Sequence, residues 1–173
     1  MDRSKFTALY RTLTTRLLDR FQDVALLLVR ITWGWQFFET GLGKLRDLDK
    51  PTQFFASLGI PLPGINAAFI GTLECVGGIL LLLGLATRLV SPLLVGSMTV
   101  AFVTADREAL FSLFSDPSRF VSAAPAPFLA AALIAMAFGA GRLSLDRLIQ
   151  RLASRGAAAP AQPAATLRER VAG

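Results

Sequence analysis

The stretch GTLECVGGILLLLG, residues 71–84, does most to limit what this chain can fold into. It lies within 24 residues, Gly64 to Thr87, that carry a single charge, Glu74, near their middle. Such a run is long enough to cross the ~30 Å hydrocarbon core of a bilayer as a helix. A carboxylate at that depth costs about 2.5–3.5 kcal/mol, and groups of this kind usually face the protein interior and pair. The rest of the chain must therefore supply Glu74 with a partner.

Three further stretches are apolar and bounded by charges: Val24 to Gly43, Leu89 to Ala105, and Phe120 to Gly141. Each is about 17–25 residues long, enough for a spanning helix. Pro125 and Pro127 put the start of the fourth helix near Pro127. The composition agrees, with 53% hydrophobic residues and a mean hydropathy of +0.54. The net charge of +6 sits in segments flanking the apolar blocks, which fits membrane topology better than nucleic-acid binding. With both ends cytoplasmic, twelve basic residues fall inside and five, Lys44, Arg46, Lys50, Arg107 and Arg119, fall outside. That bias favours four spans in an inner (plasma) membrane, multi-pass, with both termini cytoplasmic.

The chain has no His and one Cys, Cys75, so it cannot build an intrachain disulfide, a CxxC redox motif or a His-ligated haem or zinc site. No catalytic constellation and no metal site can be assigned. Cys75 reads as a small packing residue. Trp33 and Trp35 read as packing or interfacial residues.

Residues 1–23 alternate Phe6, Leu9, Tyr10, Leu13, Leu17 and Phe21 with basic residues at helical spacing. They read as an amphipathic helix on the inner surface or leading into the first span, the alternative being a solvated basic arm. No cleavable signal is expected there. QFFASLGIPLPG (53–64) and REALFSLFSDP (107–117) read as short interfacial segments capping the outer end. Residues 150–173, rich in Ala and Pro, read as a disordered cytoplasmic tail. The chain is thus expected to be all-α: an integral membrane four-helix bundle over 24–149, with an N-terminal amphipathic helix and short loop helices.

In the first span Arg30, Gly34, Phe37, Gly41 and Lys44 recur at +4, +3, +4, +3, one stripe within roughly 80° of arc. On the second, Gly71, Cys75 and Gly78 form a small-residue stripe beside Glu74, so two thin helix faces can meet. Arg30 is the only basic residue well inside a span, which makes it the expected partner of Glu74. Glu74 lies some 6 Å further out than Arg30, a gap for a long side chain or a water to bridge. That pair could serve a function or merely fix helix register. Glu39 lies about 180° round the helix, towards the outer interface.

RITWGWQFFETGLGKL (30–45), FFASLGIP (54–61) and ECVGGILLLLG (74–84), set among four spans, resemble the DoxX family of small four-helix membrane proteins. The resemblance covers roughly residues 24–149 and singles out Arg30, Gly34, Phe37, Gly41, Lys44, Gly59, Pro61, Glu74, Gly77 and Gly78. It implies an association with quinone-linked sulfur oxidation, through the related DoxD subunit of thiosulfate:quinone oxidoreductase, or with redox and thiol homeostasis. One expectation is a redox-associated subunit with an intramembrane pocket for a quinone-like lipophile. There Arg30 would hydrogen-bond a quinone oxygen, Glu74 would handle the proton and Phe37 would line the cavity. No covalently bound cofactor is expected; the partners would be the lipid bilayer and a redox protein, with oligomerisation left open. The alternatives are a non-enzymatic scaffold or assembly partner for a redox or stress-response complex, with Arg30 and Glu74 purely structural, and a small transporter.

Overall fold

The structure, a computed structural model, describes the backbone of residues 3–157 and the side chains of residues 18–154. Among the described residues every regular element is a helix. Helix α1 (Arg3–Arg46) is followed by α2 (Asp49–Ser57), α3 (Pro63–Leu83) and α4 (Thr87–Thr104). The short α5 (Arg107–Phe111) and α6 (Pro117–Ser122) precede α7 (Pro125–Phe138) and α8 (Leu145–Ala157). Helices α3 and α4, of 21 and 18 residues, are long and apolar enough to cross a membrane. Helix α7 is apolar but only 14 residues long, and starts two residues before the expected Pro127.

Helix α1 is a single element, so the N-terminal segment runs into the apolar region without a break. The side chains that would make residues 1–17 amphipathic lie outside the described residues. The long helices pack in a cycle: α1 on α3, α3 on α4, α4 on α7, and α7 back on α1. Phe37, Leu81, Val90, Leu94, Met98, Ala132 and Ala135 form the shared core. Phe37 is fully buried and meets Phe128 of α7 edge-on at 4.9 Å between ring centres. Such a contact adds about 0.5–1.5 kcal/mol beyond burial.

The α1–α3 contact is the closest because glycine faces glycine. A Cβ on Gly41 would run into the Cys75 amide and lie 2.7 Å from Gly71 O. One on Gly78 would meet the Phe38 amide and lie 2.6 Å from Gly34 O. Gly77, next along, faces away from α1, and its added Cβ would touch Leu94 and Val90 of α4. The Gly77–Gly78 pair therefore lets α3 approach two neighbours at once, as small residues do in membrane helix contacts.

Helix α3 ends at Gly84, whose φ of +64° suits glycine, and the chain turns through Ala86 into α4. The outer segment expected over 53–64 forms as α2, which packs on α3 and stops at Gly59, φ +73°. The segment over 107–117 yields only the one-turn α5. The expectation of disorder from residue 150 is corrected in part. Residues 150–157 belong to α8, because Leu145, Leu148, Ile149 and Leu152 give them a helical apolar stripe. Residues 158–173, the remainder of that segment, lie outside the described residues.

Candidate functional site

The α1–α3 register decides the polar contacts. With Gly34 against Gly78 and Leu82, and Gly41 against Gly71 and Cys75, the helices run antiparallel, and the Arg30 guanidinium lies beside Gly84. Gly84 is ten residues, about 15 Å of helix rise, from Glu74. The expected Arg30–Glu74 pair therefore does not form.

Arg30 instead closes one end of the molecule. Its Nε donates to Leu81 O at 3.0 Å, which also accepts the Gly84 amide at 3.1 Å, and a terminal nitrogen donates to Leu82 O at 3.3 Å, both in the last turn of α3. Its other terminal nitrogen donates to Ala140 O and, at 3.2 Å, to Leu143 O in the α7–α8 connection. Arg30 is 2% exposed, so these bonds replace water almost entirely. Around it, Asp23 accepts the Arg142 amide at 2.9 Å, and Asp146 accepts the Ala86 amide at 3.0 Å. A cation donating to four carbonyls, two from the last turn of α3 and two from the α7–α8 connection, ties this end together. All three of its side-chain nitrogens donate to backbone carbonyls, and it does not line the cavity described below.

Glu74, 2% exposed, pairs with Lys44 at the other end of the stripe. Lys44 stands near the end of α1, where its four-carbon stem reaches back along α3; its side chain is 29% exposed. The pair opens onto a half-open cavity of about 670 Å³ lined by α1, α2, α3, α4 and α7. Its lining is overwhelmingly apolar, with Phe54 and Phe55 of α2, Leu73 of α3, Met98 of α4 and Phe128 of α7 among the walls. Thr40, Asn66, Ser97, Thr104 and Asp106 add a few polar groups. An apolar chamber with one convergent ion pair is the usual form of a site for a small amphipathic molecule. Among the described residues there is no His, Cys, Asp and Glu group able to hold a metal ion.

Residues 25–107 match the family model DoxX. This is a DoxX domain. A Bacillus subtilis (strain 168) protein named "Putative oxidoreductase CatD" is 37% identical over 89 residues. That match takes in 51% of this chain and 65% of the relative, just under two thirds of its length. No solved structure matches the chain significantly. The DoxX family is membrane-associated, in keeping with the two long apolar helices.

The matched segment holds α1 from residue 25, α2, α3 and α4, and so every residue of the glycine contact and both members of the ion pair. Of the residues singled out from sequence, the DoxX domain brings Lys44 and Glu74 together on the cavity. It places Gly34, Gly41 and Gly78 at the α1–α3 contact, Gly77 at α4, and Phe37 in the core behind Phe128 rather than on the cavity wall. Arg30 is not at the cavity. Sequence reasoning missed the walls supplied by α4 and α7, notably Ser97, Met98 and Phe128. Their only signals were a serine inside an apolar span and an aromatic just after Pro127. Glu39 is exposed, on the far side of α1 from Arg30 and Phe37.

Proposed function

We propose that this chain is a multi-pass inner-membrane protein in which α1, α3, α4 and α7 cross the bilayer as a four-helix bundle with both termini cytoplasmic. We infer that it is redox-associated and takes a quinone-like lipophile into the cavity lined by α1, α2, α3, α4 and α7. The observation that carries this reading is the Lys44–Glu74 pair on the wall of a largely apolar cavity of about 670 Å³. The chamber is large enough for a quinone head group with the first part of its tail. Lys44 donates to a ring oxygen, a bond its ammonium makes stronger than a neutral donor would. Glu74, at hydrogen-bond distance from Lys44, is placed to exchange the proton that quinone reduction or quinol oxidation moves at that oxygen. The electrons come from a redox protein docked on the chain, since one Cys and no His cannot form a dithiol or His-ligated centre here. The oxidoreductase name of the Bacillus subtilis relative supports the redox part of this reading.

The roles first expected of Arg30 and Phe37 are not part of this proposal. Arg30 is committed to backbone carbonyls, and Phe37 is packed behind the cavity wall. Mass spectrometry of lipophiles extracted from the purified protein tests the proposal. A quinone should co-purify with the natural sequence and be lost from Gly96→Phe. Gly96 lines the cavity and an added Cβ there meets nothing within 4 Å, so the ring can take up cavity volume. Equal quinone content in both proteins would show that it does not sit in this chamber.

A further inference from the structure

Helix α8 has an unpartnered apolar face and a basic one. At 100° per residue Leu145, Leu148, Ile149 and Leu152 fall within about 100° of arc, while Arg147 and Arg151 lie roughly 110–150° from its centre. Leu148, Ile149 and Leu152 are 50%, 53% and 57% exposed, an unusual state for three neighbouring branched side chains. Asp146, the one acidic residue of the helix, is engaged with the Ala86 amide. Among the described residues neither Arg147 nor Arg151 has an ion-pair partner.

The position of α8 indicates what covers that face. The Asp146 amide donates to Gly84 O at 3.1 Å while its carboxylate accepts from Ala86. The first turn of α8 is therefore pinned to the turn between the two long apolar helices. Leu83 and Leu89, which flank that turn, are 46% and 76% exposed. If α3 and α4 cross the bilayer, this turn lies at its boundary, and α8 starts at the same level. We propose that α8 lies in the membrane plane as a binding surface for anionic lipid head groups. Its leucines and Ile149 enter the acyl boundary, and Arg147 and Arg151 reach up to phosphate. The inference rests on the membrane placement proposed above for α3 and α4. It is independent of what the cavity binds.

Single spin labels in the full chain, reconstituted in nanodiscs on a Cys75→Ala background, test it. Labels at Leu148, Gln150 and Val76 are compared for collision with oxygen, which concentrates in lipid, and with a water-soluble nickel chelate. With phosphatidylglycerol present, the Leu148 label should favour oxygen and the Gln150 label the chelate. Pure phosphatidylcholine, or the Arg147→Gln/Arg151→Gln variant, should shift the Leu148 label toward the chelate. The label at Val76, exposed midway along α3, is the control for the membrane placement itself. A Val76 label in lipid with Leu148 as wet as Gln150 would overturn the α8 proposal alone. A Leu148 label shielded from both reagents would also overturn it, by showing that protein, such as a second copy, covers the stripe. A wet Val76 label would overturn the membrane placement, and the α8 proposal with it.

Discussion

Lys44 and Glu74 are coupled because each compensates a charge that the other would strand. Removing one partner of a buried pair costs about 3–5 kcal/mol, and the 29% exposure of the Lys44 side chain brings this to about 2–3 kcal/mol. Lys44→Met and Glu74→Leu should each lower the thermal stability of the detergent-purified protein, and the double variant should lose much less than the sum. Arg30→Met combined with Glu74→Leu should instead be additive to about 0.5 kcal/mol, because the sites are far apart and share no partner. Additivity in the first cycle and coupling in the second would reverse the assignment. Thr87 is a smaller case. Its hydroxyl is buried without a partner among the described residues, so Thr87→Val should leave the melting temperature unchanged or raise it. The correct pairing was legible in part. Glycines at 34 and 41 and at 71 and 78 share a spacing of seven; set antiparallel, they put Arg30 near Leu82 and Lys44 near Ala68. Charge complementarity alone led to Arg30, since Lys44 stands where the apolar run stops and reads as a loop charge.

At the scale of the elements, the glycine contact between α1 and α3 sets the geometry of both ends. Gly78→Ala drives a methyl group into the backbone at Phe38 and Gly34, and overpacking of that kind costs about 1–3 kcal/mol. Gly43→Ala, on the same helix as Gly34 but with nothing within 4 Å of the added Cβ, should gain up to about 1 kcal/mol from helix propensity. Thermal melts of the two variants should move in opposite directions; a shared direction would mean that the glycines matter for propensity rather than for approach. The long apolar helices and α2 were legible from hydropathy, Gly-Ile-Pro punctuation and aromatic spacing. Helix α8 was not, since a segment with four arginines between Arg142 and Arg155 reads as solvated until the Leu145–Leu152 stripe is placed on a helix. The cavity could not be read at all, because it is made by side chains from five helices that only the packing brings together.

At the scale of the whole molecule, a polar clasp surrounds Arg30 at one end of the α1–α3 contact, and a largely apolar cavity with the Lys44–Glu74 ion pair lies towards the other. In the proposed topology the clasp faces the cytoplasm, so reporter fusions after Gly173 and within residues 107–119 should lie on opposite sides of the membrane. The same side for both would contradict the four-span topology. The most direct test of the chamber uses Trp33, whose ring meets Phe128 of the cavity wall at 5.2 Å. Trp35→Phe leaves it the sole tryptophan of the chain. Titration with a short-chain quinone in nanodiscs should then quench Trp33 fluorescence saturably. Lys44→Gln should weaken the apparent affinity about tenfold, the loss of one charge-assisted hydrogen bond. Quenching that stays linear in quinone and is the same with and without Lys44 would contradict quinone binding beside the Lys44–Glu74 pair.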